Sequence, residues 1–167
     1  MVKDKMLNQV EFKEELEEIK FEYVSNSNKD FELPKRGTKD AAGYDFINPE
    51  KVEIPPFSEC KKPILVKTGV KSKFPGYLAL LLLNRSSNPG KKGLILANGI
   101  GLVDADYYNN ETNEGEIGFL FINIKDEPVV IEKGDKLGHG MFTPFARITN
   151  EKQIATTRQG GFGSTGV

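Results

Sequence analysis

The chain has 167 residues, enough for one domain with its own core. Its 23 basic and 24 acidic residues nearly cancel, which excludes a broad basic surface for nucleic acid. Cys60 is the single cysteine, so an intrachain disulfide and a cysteine metal cluster are both excluded.

Three segments divide the chain. Residues 1–17 are charged and carry apolar residues at roughly helical spacing, which predicts a peripheral N-terminal arm or short helix. Residues 18–150 form the predicted β domain, and residues 151–167 form a flexible, Gly-rich C-terminal arm. The apolar runs are too short to cross a membrane, and no signal-peptide pattern appears. We therefore expect a cytoplasmic protein with no membrane partner and no nucleic-acid partner.

From Ile19 onward, short runs of Val, Ile, Leu and Phe alternate with Gly, Pro and Asn. Many short strands between turns predict an all-β fold, either a sandwich or a barrel, with no room for the long helices of an alternating α/β fold. The predicted strands are Ile19–Val24, Lys51–Ile54, Ile64–Val70, Tyr77–Leu83, Leu94–Ala97, Gly101–Asp104, Ile117–Ile124, Val129–Ile131, Leu137–Pro144 and Arg147–Ile148.

A tight turn follows the fifth predicted strand. Two apolar runs flank Asn98-Gly99, a dipeptide typical of a β-hairpin. Asn98 is either a turn residue alone or an amide that reads a base edge, because its side chain offers both a donor and an acceptor. Asp104 ends the second run and is either a solvated turn residue or a general base for a water molecule.

Candidate phosphate ligands lie in three places. Arg85-Ser86-Ser87 follows a buried strand, and a guanidinium beside two hydroxyls is suited to phosphate oxygens. In the segment Ala42-Gly43-Tyr44-Asp45, the Asp45 carboxylate lies beside a predicted tight turn and is a candidate to support a hydrated Mg²⁺. The last ten residues combine Gly163 and three further glycines with Arg158, Phe162, Ser164 and Thr165, which indicates either a disordered polar tail or a nucleotide-binding arm. No Walker motif is present, so loops and this arm must build any phosphate site.

Taken in order, five segments resemble the five motifs of the trimeric deoxyuridine triphosphatases (dUTPases). The resemblance extends from about Ile19 to the end of the chain. The segments are Ala42-Gly43-Tyr44-Asp45-Phe46, Asn84-Arg85-Ser86-Ser87, Asn98-Gly99-Ile100-Gly101-Leu102-Val103-Asp104-Ala105-Asp106-Tyr107, Lys133-Gly134-Asp135-Lys136-Leu137 and 158–166.

The resemblance implies a jelly-roll-like β-barrel subunit of a homotrimer with three active sites at subunit interfaces. It also implies Mg²⁺-dependent hydrolysis of dUTP to dUMP and pyrophosphate. Asp104 would activate the water that attacks the α-phosphorus, and Asp45 would support Mg²⁺ through water while the triphosphate holds most of the metal. The nucleotide-binding residues would be Arg85, Ser86 and Ser87 for phosphates, Asn98, Ile100, Leu102 and Val103 for uracil, Tyr107 for deoxyribose, and Arg158, Phe162, Gly163, Ser164 and Thr165 in an arm that closes over a neighbouring site.

The chain departs from the family pattern in three places. Gly138-His139 stands where the fourth motif usually has Ala-Gln, so His139 either replaces the glutamine or has no role. Arg158 lies one residue closer to Phe162 than in many relatives. Asn109–Glu114 is an insertion after Tyr107, expected to form a longer loop near the rim of the site.

Two other functions stay open. The dCTP deaminases share this fold and several motifs, but they place a proton-transferring Glu on the strand after the hairpin, where this chain has Leu120. The second alternative is a non-catalytic, nucleotide-sensing regulatory protein. A regulatory protein partner is expected if the chain is phage-derived.

Overall fold

The computed structural model describes residues 18–151 of the chain. The predicted N-terminal arm lies outside them, as do Arg158, Phe162, Gly163, Ser164 and Thr165 of the predicted C-terminal arm. The described residues thus comprise the predicted β domain and the first residue of the C-terminal arm.

Strands dominate this part of the chain, which confirms the all-β prediction. Three short helical segments interrupt them: α1 (Phe57–Cys60), a π-helical turn at Asn88–Lys92 and a 3-10 turn at Ala105–Tyr107. None of the helices within residues 18–151 has the length and apolar character needed to span a membrane. The strands are β1 (Lys20–Tyr23), β2 (Lys35–Arg36), β3 (Tyr44–Ile47), β4 (Val52–Ile54), β5 (Ile64–Lys67), β6 (Val70–Lys73), β7 (Leu78–Asn84), β8 (Leu94–Leu96), β9 (Gly101–Val103), β10 (Gly118–Asn123), β11 (Val129–Ile131) and β12 (Lys136–Pro144).

The strands pair antiparallel in four sheets around one core. The largest sheet has the order β2-β3-β12-β7-β9, the second has the order β5-β10-β8, and the ribbons β1-β6 and β11-β4 complete the set. Inward side chains of different sheets meet in an aromatic and aliphatic core. Phe46, Leu80, Phe119 and Phe121 are each at most 1% exposed within it.

Three strand predictions are wrong in detail. The predicted strand Ile64–Val70 is two strands, because Gly69 adopts a φ of +67° at the turn between them. The sequence predicts no strand over Tyr44–Ile47, whereas these residues form β3, which pairs with β12. Residues 147–148 are exposed and lie outside any strand, because no neighbouring strand pairs with them in the described part of the chain.

The turn at Asn98-Gly99 is present, but its strands pair differently from the prediction. Gly99 supplies the positive φ of +68°, and its N–H donates to the Leu96 carbonyl at 3.1 Å. β8 pairs with β10, whereas β9 pairs with β7. The predicted hairpin is therefore a connection between two sheets, because tertiary packing has overridden local pairing.

A β-bulge interrupts β12 near its start. The register against β3 shifts between Lys136 and Gly138, and both Leu137 and Gly138 are buried. A Cβ atom on Gly138 would lie 2.2 Å from Cε1 of Phe119 and 2.7 Å from the Leu83 carbonyl oxygen. Glycine is therefore required at 138. The bulge also leaves Lys136 and His139 on the same, outward side of the strand.

Candidate active site

The five-stranded sheet turns one face toward the core and the other, its outer face, away from it. Along β7 the side chains alternate, so that Leu81 and Leu83 lie on the outer face. Met141 of β12 and Leu102 of β9 both align with Leu81 in the register. Leu102 is 61% exposed. These four side chains form an apolar band across the middle of the outer face.

Asp45 lies on this outer face, in a cluster with the Lys136 ammonium and the His139 imidazole. The Lys136 ammonium donates to Asp45 Oδ2 at 2.5 Å, and the His139 Nδ1–H donates to Asp45 Oδ1 at 2.8 Å. The carboxylate side chain is only 9% exposed, so Lys136 and His139 both contact a nearly buried group. The bulge in β12 explains the arrangement, because regular alternation would send Lys136 and His139 to opposite faces. Sequence reasoning left His139 open and missed this role of Lys136.

Arg85-Ser86-Ser87, the phosphate corner, directly follows β7 at the end of the sheet where Asn84 pairs with Gly138. The Asn88 N–H donates to the Arg85 carbonyl at 3.0 Å, which closes the reversal of the chain. Arg85 is half-buried, and its guanidinium has no hydrogen-bond or ion-pair partner among residues 18–151. A guanidinium in this state, beside two hydroxyls, can bind phosphate oxygens directly.

The predicted uracil-binding segment lies at the edge of the same sheet. β9 pairs with β7 on one side only, so part of its backbone N–H and C=O groups stay outside the ladder, where they can recognise a base edge. Asn98 and Ile100 are exposed at the preceding turn. Val103 faces the core and is 8% exposed, so only its backbone is placed for recognition.

Asp104 directly follows β9 and precedes the 3-10 turn, whose last residue is Tyr107. Asp104 is exposed, whereas Tyr107 is buried at 7% exposure. The Tyr107 hydroxyl donates to the Glu116 carbonyl at 3.1 Å and accepts a hydrogen bond from Asn113 Nδ2 at 2.7 Å. The insertion Asn109–Glu114 thus braces Tyr107, and Lys71 anchors the loop at Glu114 with a distance of 3.2 Å.

The phosphate corner and Asp104 lie at opposite ends of β7. Val103 pairs with Leu80, so Asp104 lies one step beyond that pair, beside Ala79, while Arg85 follows Ala79 by six residues. At about 3.3 Å per residue the two groups are about 20 Å apart. This distance prevents Arg85 and Asp104 of one chain from contacting the same phosphoryl group.

Candidate metal ligands do not cluster in residues 18–151. These residues contain no group of three or more His, Cys, Asp or Glu side chains that could hold a metal ion. Asp45, the predicted supporter of Mg²⁺, already uses both carboxylate oxygens for Lys136 and His139. The described side chains therefore do not fit a tightly bound magnesium ion.

Comparison with known proteins gives concordant matches. A family model described as dUTPase matches residues 29–166. The deoxyuridine 5'-triphosphate nucleotidohydrolase of Lactococcus lactis is 45% identical over 149 residues, which covers 88% of this chain and 97% of that protein. The crystal structure of the Streptococcus mutans dUTPase is 43% identical with a TM-score of 0.73, and covers 78% of this chain and 98% of that one. The predicted jelly-roll-like fold is thereby confirmed.

A more distant structure shares the fold alone. A mutant dUTPase from phage phi11 of S. aureus is 23% identical, has a TM-score of 0.62, and covers 83% of this chain and 97% of that one. That structure is described as showing the coordination of a structural Mg(II) ion.

Proposed function

Because the chain belongs to the dUTPase family, we propose that it hydrolyses dUTP to dUMP and pyrophosphate in a site that copies of its outer face build together. The separation of Arg85 and Asp104 along β7 carries the proposal. Each group is suited to one half of the reaction, and a neighbouring copy must supply the other half.

Asp104 is the proposed general base. Asp104 is exposed directly after β9, where its carboxylate can accept a proton from a water molecule held against it. The water oxygen forms a bond to the α-phosphorus, the bond between that phosphorus and its bridging oxygen breaks, and pyrophosphate leaves with the electron pair. Catalysis of this kind depends on positioning and charge neutralisation more than on covalent participation of the protein.

The phosphate corner and the predicted C-terminal arm neutralise the triphosphate. Arg85 contributes the guanidinium, and Ser86 and Ser87 contribute hydroxyl donors. In the predicted arm, Arg158, Ser164 and Thr165 bind the γ-phosphate, Gly163 gives the backbone its close approach, and Phe162 covers the base. A glycine-rich arm that orders only on substrate binding excludes water at the moment of reaction.

Selectivity for deoxyuridine comes from β9 and the turn before it. Asn98 and the backbone from Ile100 to Val103 hydrogen-bond the uracil edge, and the close turn leaves no space for a 5-methyl group. Tyr107 packs against the sugar and excludes a 2′-hydroxyl. Its hydroxyl is already held by Glu116 and Asn113, so its ring is fixed before substrate arrives.

The assembly that completes the site is a homotrimer. The apolar band of Leu81, Leu83, Leu102 and Met141 is a surface that water solvates poorly, and a second copy can cover it. The band lies between the phosphate corner and Asp104, so covering it with neighbouring copies brings the two groups of different chains toward one ligand.

Magnesium enters with the substrate as the Mg–dUTP complex. The described residues do not fit a resident ion, whereas a triphosphate chelates Mg²⁺ through its own oxygens. Asp45 then acts through its cluster: it holds Lys136 and His139 on the outer face, near the phosphate corner.

The residue at position 120 argues against a deaminase. Leu120 lies beside the turn of the uracil segment, because its carbonyl accepts the Ala97 N–H at 2.8 Å. A deaminase of this fold needs a proton-transferring group there, and leucine has none. No feature of the described residues favours the alternative of a non-catalytic regulator.

A panel of dUTP, dTTP, UTP and dCTP, each with and without Mg²⁺, tests the proposal. Of the four nucleotides, we expect only dUTP to release pyrophosphate, and only when Mg²⁺ is present. Hydrolysis of dTTP or UTP at a similar rate would contradict the roles of the turn and of Tyr107. Ammonia release from dCTP would instead establish a deaminase, and no turnover of any substrate would establish a binder.

A further inference from the structure

We propose that Asn88 is a positioning residue that aligns the phosphate corner with the cluster at Asp45. The inference rests on the proposed function, since it takes the ligand to be a deoxyuridine triphosphate. It assigns a role in catalysis to a buried amide that no substrate atom reaches.

The Asn88 side chain links two strands behind the phosphate corner. Its Nδ2 donates to Asn84 Oδ1 at 2.8 Å and to the Leu137 carbonyl at 2.8 Å. Asn84 Nδ2 in turn donates to the Leu94 carbonyl at 2.9 Å. The two amides thereby fasten β7, β8 and β12 together at the point where the chain turns into Arg85.

The Leu137 carbonyl belongs to the bulge of β12. In a regular strand each carbonyl finds a partner in the ladder, but a bulge leaves its extra residue unpaired. Asn88 supplies the missing donor and so holds the bulge in place. Because the bulge sets Lys136 and His139 on the same side, Asn88 also fixes the two side chains that contact Asp45.

The other half of the amide supports a role beyond ordinary packing. Asn88 is 1% exposed, and its Oδ1 accepts no hydrogen bond among the described residues. Burying an unpaired carbonyl oxygen is unfavourable, so the stabilising contacts of this side chain come from its two N–H donors. These donors connect the phosphate corner to the Asp45 cluster.

Binding measurements with Asn88→Ala test the inference. The probes are an unreactive dUTP analogue with an imido bridge between the α- and β-phosphorus atoms, and deoxyuridine, which has no phosphate. We expect the Kd of the analogue to rise about tenfold or more, because displaced phosphate ligands lose their alignment. The Kd of deoxyuridine should change by less than about twofold, because the uracil segment is elsewhere.

Asn123→Ala is the matched control. Asn123 is also 1% exposed, and although its backbone pairs with Leu94, its Nδ2 donates to the carbonyls of Ile54 at 3.0 Å and Glu127 at 2.8 Å and to no residue of the phosphate corner. Asn123→Ala should lower Tm, as Asn88→Ala does, but should leave the ratio of the two Kd values unchanged. If Asn88→Ala weakens the binding of both ligands equally, so that the ratio of the two Kd values is unchanged, the inference is overturned.

Two further measurements keep the result interpretable. If Asn88→Ala does not fold, Asn84→Ala removes one acceptor of the same link and should raise the ratio of the two Kd values in the same direction, whereas an unchanged ratio there would overturn the inference. Wild-type protein is assayed for dUTP hydrolysis in parallel. A wild type without turnover contradicts the proposed function, whereas an active wild type with an unselective Asn88→Ala variant contradicts only the inference.

Discussion

Mixing two inactive variants tests whether the active site is shared between copies. Asp104→Asn removes the proposed base, and Arg85→Ala removes the proposed phosphate cation. Each homotrimer should lose turnover by about 10²-fold or more. The two groups lie about 20 Å apart along β7, so in the proposed assembly each site takes Arg85 from one copy and Asp104 from another.

The expected recovery follows from random assembly. A site is intact when its Arg85 comes from an Asp104→Asn chain and its Asp104 comes from an Arg85→Ala chain. Each choice has a chance of about one half, so about a quarter of the wild-type rate should return when equal amounts are unfolded and refolded together. If each chain served its own site, no site in the mixture would be intact.

The assay is pyrophosphate release from dUTP after joint refolding, with wild-type protein carried through the same steps as the control. Variants mixed without unfolding give the baseline, since trimers that do not exchange copies stay inactive. Suppose that each single variant loses activity as expected. A refolded mixture that is as inactive as either variant alone would then refute the shared site.

Three further predictions concern the base, the bulge and the charge network. Asp104→Asn should lower kcat by about 10²–10⁴-fold while the Kd of the unreactive dUTP analogue changes little, since a base acts in the transition state; a parallel loss of binding, measured by calorimetry, would count against the assignment. Gly138→Ala should destabilise the protein by about 1–3 kcal/mol, because a Cβ would overlap Phe119. Thermal unfolding should show a Tm about 3–10 °C lower. Gly76→Ala is its control, since the nearest atom there is 3.9 Å away, and an equal effect of both would contradict the argument. The hydrogen bond from Tyr108 and the nearby Lys20 lower the pKa of Glu22 below its ordinary value of 4.5. This carboxylate therefore stabilises the fold above pH 4.5 and loses its contribution as the pH falls through its folded-state value. Glu22→Gln should flatten the acid side of a plot of Tm against pH between neutral and strongly acidic conditions, whereas the exposed Glu53→Gln should leave the slope as in wild type.

The strand pattern was largely predictable from the sequence, because apolar runs and turn residues mark most strands. The strand predictions fail where a single residue or a long-range pairing decides the backbone conformation. Gly69 breaks an apolar run into two strands, and nothing in the run itself distinguishes its positive φ from a strand glycine. β3 was missed because Gly43 and Asp45 are typical of turns, whereas pairing with β12 makes the segment a strand.

The proposed site residues follow from the family motifs, but their spatial relations do not. The pairing of β9 with β7 places Asp104 far from Arg85, and it depends on long-range packing. The contact of Lys136 and His139 with Asp45 depends on a bulge, which shifts the side-chain alternation by one residue. Asn88 lacks any local signal, since its partners lie on other strands.

The placement of Arg85 and Asp104 at the two ends of β7 has a genetic consequence. In the proposed assembly, a newly synthesised chain is inactive until it associates with other copies. At low expression, the hydrolysis rate therefore rises more steeply than the protein concentration. A copy that lacks both Arg85 and Asp104 inactivates two of the three sites in its trimer. One of these sites loses its Arg85, and the other loses its Asp104. A defective allele would therefore interfere with a healthy one in the same cell.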